Sequence, residues 1–378
     1  MTTYKDTQIM KEKGNKVAKI LVLPGDGVGI EVTDVSLEIL KAIGDKYDIQ
    51  FAVEKDLFGG SSIDAFGVPV TDEVLNEAKA SDAVLLGAVG GPNWDQLEYE
   101  IRPERGLLAL RKELNTYANL RPAVVYQSLM DASTLKKEVI HGVDIMVVRE
   151  LTGGIYFGTP RGIEKLQNGD ERGVNTLLYT TSEIERVARI AFQIATRRRK
   201  KVTSVDKANV LEVMELWRKS VTRIGYDEFP EIELEHLYVD NAAMQLIRRP
   251  KSFDVILADN MFGDIISDEA AQLTGSLGML PSASIGANGA IYEPVHGSAP
   301  DIAGKDIANP IASVLSLAML LRYSLNLDKA ADDVENAVKK VLESGYRTAD
   351  IYQDGTKRLG CREMGNIILE EIYKLQQL

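Results

Sequence analysis

Two rhythms of hydrophobic and polar positions alternate along the chain. Short, largely apolar, β-rich runs at 19–23, 83–86, 143–148, 202–205 and 253–258 read as strands, the last of them as a buried one. Between them, 31–43, 183–199 and 328–344 repeat apolar residues at helical spacing and predict amphipathic helices, and 311–321 reads as a buried helix. This βα alternation predicts an α/β fold with a largely parallel sheet covered by helices. No repeat, low-complexity segment or Pro/Gly/Ser-rich linker separates the halves, so two domains would interleave in sequence. Residues 150–179, with Gly153, Gly154 and Gly158, break the rhythm and suggest an extended hairpin or arm; a surface loop is the plainer alternative.

Several β-rich runs end in a charge. The run 143–148 leads into Arg149, 202–206 into Lys207, and 234–239 into Asp240. After 253–258 comes Phe262-Gly263-Asp264-Ile265-Ile266-Ser267-Asp268, in which two carboxylates four residues apart share one helical face. Open α/β sheets bind ligands at the carboxyl ends of their strands. Arg, Lys and three Asp there suggest a cleft for an anionic, metal-chelating ligand. Taken alone, the Asp pair also suits a helix N-terminus, with Asp264 capping or charging the first turn and Asp268 solvated.

Composition narrows the class. The chain has 378 residues, 45% hydrophobic and 26% charged, large enough for two domains. A net charge of -12 argues against a polyanionic partner. The basic run 197–201 has no aromatic interleaving and reads as solvent-facing cations at a helix C-terminus, so no nucleic acid is expected. Cys361 stands alone and the three histidines are far apart, which excludes an intrachain disulfide or thiolate centre and disfavours zinc. The run 311–321 is too short to span a bilayer, and residues 1–16 lack the apolar core of a secretion signal and the acid-free character of a transit peptide. A cytoplasmic protein with no membrane partner is expected.

Two glycine-rich stretches remain. Gly25-Asp26-Gly27-Val28-Gly29 follows the first strand but departs from the dinucleotide fingerprint G-x-G-x-x-G, and no P-loop pattern occurs. The stretch 293–305, from Glu293 through His296, Gly297, Ser298, Ala299 and Asp301, is too rich in small residues for a core element. It suits a loop wrapping a ligand with backbone groups, Asp301 being able to bind a ribose hydroxyl and repel a 2′-phosphate, or equally a structural loop.

Taken in order, the blocks LPGDGVG (23–29), LRKELNTYANLRP (110–122), VRELTGGIYFG (148–158), SVDKANVLEV (204–213), NMFGDIISDEA (260–270), GSLGMLPSAS (275–284) and EPVHGSAPDIAGK (293–305) resemble the isocitrate/isopropylmalate family of β-decarboxylating dehydrogenases, and within it the isopropylmalate enzymes. The resemblance runs from about Lys19 to the C-terminus. It implies two interleaved α/β domains sharing a mixed, largely parallel sheet that is not a Rossmann fold. A cofactor domain would comprise 1–116 and 275–378, and a substrate and dimerisation domain 117–274, with its arm at about 150–179 in the interface of a homodimer with shared active sites.

Position by position, the resemblance implies that Asp240, Asp264 and Asp268 bind Mg2+ or Mn2+, with Asp240 reaching in from a second subunit. Arg111, Arg121 and Arg149 would hold the two carboxylates of a small-molecule substrate, also bounded by Asp240, while Lys207, from the partner subunit, and Tyr156 form the acid/base pair. NAD would lie against Gly91, Glu104, Gly297, Ser298, Ala299, Asp301 and Asn309, with Val28 and His296 near the adenine. Leu107, on the helix before Arg111, would offer an apolar wall to an isopropyl group, and the Ser-x-Asn pattern of isocitrate enzymes is missing there. The activity implied is NAD-dependent oxidative decarboxylation of (2R,3S)-3-isopropylmalate to 4-methyl-2-oxopentanoate and CO2 in leucine biosynthesis. Turnover of D-malate, tartrate, homoisocitrate or isocitrate is the alternative within the family, and a non-catalytic regulatory subunit the alternative outside it. The chain departs from the family pattern at Ile30, where proline is usual, at Cys361, where Thr or Ser is common, and in its extension of about 16 residues.

Overall fold

A computed structural model describes residues 17–374. Its strands of four residues or more, in chain order, are β1 Ala18–Gly25, β2 Phe51–Lys55, β3 Ala83–Ala88, β4 Thr116–Val124, β5 Asp144–Glu150, β6 Gly158–Lys165, β7 Glu171–Thr176, β8 Lys201–Asp206, β9 Glu233–Tyr238, β10 Val255–Ala258, β11 Pro281–Gly286 and β12 Ala290–Pro294. The helices are α1 Gly29–Tyr47, α2 Gly60–Phe66, α3 Asp72–Ala80, α4 Pro103–Glu113, α5 Lys137–Ile140, α6 Thr181–Thr196, α7 Glu212–Glu228, α8 Val239–Arg248, α9 Asn260–Thr274, α10 Ile311–Tyr323, α11 Asp328–Glu343 and α12 Cys361–Lys374. The five β-rich runs all became strands, and the amphipathic stretches became α1, α6 and α11.

Ten strands form one sheet in the order β2-β1-β3-β12-β11-β4-β5-β10-β8-β9. Six of its nine pairings are parallel, and the three antiparallel ones, β12–β11, β11–β4 and β4–β5, lie together in the middle. The expected mixed, largely parallel α/β architecture is therefore present. Two parallel ends meet at an antiparallel centre, where the chain crosses from one half to the other through β4 and returns through β11. Helix α10 is buried almost throughout, and α1 buries Val32, Val35, Ile39, Leu40 and Ile43 against the sheet and its neighbours α10 and α12. Helix α6 begins with a capping box, the Thr180 hydroxyl accepting from Glu183 N while the Glu183 carboxylate accepts from Thr180 N. The predicted arm is an antiparallel hairpin, β6–β7, whose residues are largely exposed.

One surface expectation fails. The cations of 197–201 do not all face solvent: Arg198 donates to Asp254 Oδ1 at 2.8 Å and to Asp144 Oδ1 at 2.7 Å, Arg199 donates to the Phe253 carbonyl, and Lys201 pairs with Glu233 and Glu235. Asp254 is buried, and a buried carboxylate needs a counter-charge, so the run knits β5, β8 and β10 together. Cys361 is buried at the start of α12, with burial pushing its thiol up to about 12. Among the described residues no helix is long and apolar enough to cross a membrane. The extension at 1–16 lies outside the described residues.

Candidate active site

The polar centre of the sheet builds the site. Side chains alternate faces along a strand, so Asn119 and Arg121 on β4 share a face, and Asn119 sits opposite Arg149 on β5 and Ser284 on β11. Asn119 Nδ2 donates to Ser284 Oγ at 3.0 Å, and its Oδ1 accepts from Arg121 Nε at 2.8 Å. A polar row thus crosses three strands and turns Arg121 towards α9.

Helix α9 is capped by Asp259, whose Oδ1 accepts from Phe262 N at 2.7 Å. Asp264 is therefore free of capping and projects from the second turn. Gly263 lets α9 approach the strand, because a Cβ there would stand 2.9 Å from Arg149 Cβ and Cγ. Arg149 Nη1 donates to Asp264 Oδ1, and Arg121 Nη1 lies 3.5 Å from the same oxygen and 3.1 Å from Asp268 Oδ1. The two carboxylates thus converge on one positive charge. Tyr156, in the turn before β6, donates its hydroxyl to Asp264 Oδ2 at 3.3 Å.

The electrostatics follow from burial. Arg149 is lowered to about 10 by desolvation first and by repulsion from Arg121 second. Such a guanidinium gains from an incoming carboxylate. Burial and then the Asp264 charge raise the Tyr156 phenol, so it keeps its proton. Arg111, on α4, donates to Glu293 Oε1 on β12 at 2.7 Å, while its Nε is buried with no partner.

Lys207 follows β8 and Asp240 opens α8, and these two pair with each other at 2.7 Å. That contact holds the Asp240 carboxyl below the usual range. Among the described residues, no hydrogen bond or ion pair joins Lys207 or Asp240 to Asp264, Asp268 or the three arginines. Among the described residues, the one cluster of three His, Cys or carboxylate side chains with ligand atoms within 4.8 Å of one another is Glu31, Asp306 and Cys361, and Asp240 forms no such cluster with Asp264 and Asp268.

Of the residues expected against NAD, Ser298 packs on the Gly25–Gly29 turn. A Cβ on Gly27, at φ +57°, would stand 2.0 Å from the Ser298 carbonyl, and Val28 N donates to that carbonyl at 2.8 Å. Asp26 is buried and its carboxylate accepts from Gly60 N, Ser61 N and Gly90 N at 2.8 to 2.9 Å, tying the loops before α2 and after β3 to the turn. Glu104 reaches the edge of Gly90, next to Gly91. Val28 packs its side chain into the core and offers the cleft only backbone. His296 Nδ1 lies 2.9 Å from the Gly297 carbonyl and its Nε2 is buried without a partner. Asn309 donates to Asp350 Oδ2 at 3.0 Å, and Ala299 and Asp301 line the same loop. Leu107 packs against the smaller apolar cluster under α4.

Glu293, Asn260, Asn119 and Ser267 were not singled out by sequence, although each touches an arginine of the site or its neighbour. Asn119 and Glu293 are marked as polar residues inside strands, whereas Asn260 and Ser267 on α9 carry no such mark. Asp259 adds a testable point: Oδ2 is buried without a partner, and burial raises its carboxyl to about 7 from 3.8. The folded state then holds that proton more tightly than the unfolded chain, so stability falls as pH rises through that window. Asp259→Asn keeps the capping oxygen and should flatten the decline of the thermal midpoint with pH between 3.8 and about 7. A decline as steep as the parent's would contradict this.

The family model for isocitrate/isopropylmalate dehydrogenase matches residues 19–368. A 3-isopropylmalate dehydrogenase of Pseudomonas fluorescens is 56% identical over 358 residues, covering 94% of this chain and 99% of that protein. The enzyme of the same name from Trichormus variabilis is 58% identical over 357 residues, covering 94% and 98%. Among solved structures, an isocitrate dehydrogenase from Methylococcus capsulatus superposes with a TM-score of 0.84 at 34% identity, covering 94% of this chain and 99% of that one. A β-decarboxylating dehydrogenase from Thermococcus kodakarensis gives 0.78 at 36%, covering 96% and 98%. With the match running unbroken through both halves of the sheet and every element of the cleft, this chain belongs to the isocitrate/isopropylmalate dehydrogenase family.

Proposed function

We propose that the protein oxidises and decarboxylates (2R,3S)-3-isopropylmalate to 4-methyl-2-oxopentanoate and CO2, with NAD as electron acceptor and Mg2+ or Mn2+ as cofactor, in leucine biosynthesis in the cytoplasm. The observation that carries this is the meeting of Arg121, Arg149, Asp264, Asp268 and the protonated Tyr156 at one place, with Arg111 near enough for its charge to act on Arg149. A dicarboxylate fits the guanidinium forks of Arg111, Arg121 and Arg149. Relatives named for this activity are 56–58% identical over nearly their whole length, which favours isopropylmalate over the other 3-substituted malates.

Hard carboxylate oxygens suit Mg2+ or Mn2+, and Asp264 and Asp268 already share one cationic nitrogen, so the donor set fits. Asp240 would complete it from a second copy of the chain. The exposed apolar side chains of α8 and α9, Met244 at 60%, Ile247 at 43% and Ile265 at 58%, with Ile163 at 76% on the arm, suit a homodimer with shared sites. The partnerless His296 Nε2 suits a purine donor, and Asp301, exposed, suits a ribose hydroxyl and disfavours a 2′-phosphate. We infer lobes at 1–116 with 275–378 and at 117–274, hinged where β4 and β11 cross the sheet.

In this reading the arginines hold both carboxylates, and Lys207, released from Asp240, takes the C2 hydroxyl proton directly or through a water. A divalent ion held by Asp264 and Asp268 with Asp240 of a second copy would supply Lewis acidity at the C2 hydroxyl and at the charge left by departing CO2, and NAD would supply the hydride acceptor. Tyr156, held beside Asp264 and still protonated, delivers a proton to C3. Leu107 borders the isopropyl group, with Leu108, half-buried and outside both apolar clusters, beside it.

NADH formation should be measured with isopropylmalate, isocitrate, homoisocitrate, D-malate and tartrate, each with and without chelator. Isopropylmalate should be fastest and chelator should abolish its turnover. Equal rates with malate would remove the pathway assignment, and chelator-resistant turnover would remove the ion.

A further inference from the structure

We propose that Asn260 is a positioning residue, a buried amide that aims the Arg149 guanidinium at the substrate carboxylate and fixes the Tyr156 turn to the same point. This rests on the reading of Arg149 as a carboxylate clamp. Asn260 is buried at the first position of α9. Its Nδ2 donates to the Leu151 carbonyl at 3.1 Å and to the Gly153 carbonyl at 3.0 Å. Its Oδ1 accepts from Arg149 Nε at 3.0 Å and Nη2 at 2.8 Å.

This pattern admits one orientation of the amide. Two backbone carbonyls can only accept, so Nδ2 must face them and Oδ1 must face the guanidinium. Two of the arginine's nitrogens are thereby occupied from behind, which leaves Nη1 pointing at Asp264 and the cleft. Leu151 and Gly153 begin the turn that ends in Tyr156, so the same amide links the carboxylate clamp to the proton donor. Asn260 N in turn donates to Tyr179 Oη at 3.0 Å, and Tyr179 donates to the buried Glu150 carboxylate at 3.1 Å. A neutral amide suits this place because a carboxylate would set acceptor against acceptor at both carbonyls and would neutralise Arg149 before substrate arrived.

The variants Asn260→Ala, Asn260→Ser and Tyr179→Phe, with the parent alongside, test this through KM for isopropylmalate, KM for NAD, kcat and thermal midpoint. Loss of the aiming contacts should raise the isopropylmalate KM about tenfold or more in both Asn260 variants, with the NAD KM within about twofold. Asn260→Ser serves if the alanine variant does not fold. Tyr179→Phe keeps the amide's contacts to Arg149 and should lower the midpoint with little change in either KM. A folded Asn260 variant whose isopropylmalate KM stays within about twofold, or whose two KM values rise together, would overturn the proposal. A parent silent towards every 3-substituted malate would overturn the functional reading, and the aiming role with it.

Discussion

Asp264→Asn is expected to lower kcat by roughly a thousandfold or more, about 4 kcal/mol of lost transition-state stabilisation, while the protein stays folded. The side chain is nearly isosteric, so the packing of α9 on β5 through Gly263 is undisturbed. Three functions fail together. The converging oxygen pair of Asp264 and Asp268 loses one formal charge, Arg149 loses its anionic partner, and the Tyr156 hydroxyl loses its acceptor carboxylate. Arg149 nevertheless keeps both bonds to Asn260, so the buried cation is not abandoned. The checks are steady-state kinetics at saturating divalent ion and a thermal midpoint close to the parent's. A variant retaining most of its turnover would remove Asp264 from the centre of the mechanism.

Mixing two inactive variants should restore activity. Asp240→Asn and Asp264→Asn each disable every site of their own homodimer if each site draws Asp264 from one copy and Asp240 from the other. Random reassortment of equal amounts makes half the dimers mixed, and each mixed dimer carries one intact site and one doubly damaged site. About a quarter of the parental activity should therefore return after joint unfolding and refolding or co-expression. The prediction rests on the proposed shared site; within one chain Asp240 pairs with Lys207, and among the described residues it forms no three-carboxylate group with Asp264 and Asp268. No recovery, with mixed dimers shown to form, would mean that each site is complete within one chain.

Much of the fold was legible because strands covered on both faces are rich in apolar, β-branched residues. The runs at β1, β3, β5, β8 and β10 have that character, with few polar interruptions outside β8, and all five stand in the sheet. The strands that escaped are the ones that serve the cleft or the edge. Strand β4 carries Asn119 bonded to Arg121 and Arg121 bonded in turn to Ser267 on α9, and β12 carries Glu293 bonded to Arg111, so polar side chains interrupt the pattern that announces a strand. Strand β2 lies at the sheet edge and is half exposed. The carboxylate pair of α9 was visible from its spacing, but its freedom from capping was not, because Asp259 could be recognised as the cap only once the helix start was known. Asn260 resembled an ordinary helix-start residue, and its contacts come from parts of the chain far apart in sequence. The basic run misled because Asp254, the carboxylate it serves, lies on another stretch of chain.

The order of strands also bears on biosynthesis. In the nascent chain β3, apolar along its whole length, leaves the ribosome early, yet its neighbour β12 follows only after the entire opposite half has been made. For that interval translation exposes an open hydrophobic strand edge, the kind that seeds aggregation. Chains arrested before β12 should therefore be chaperone clients, whereas the contiguous stretch carrying β5 to β10 has all its parallel partners at hand as soon as it is synthesised.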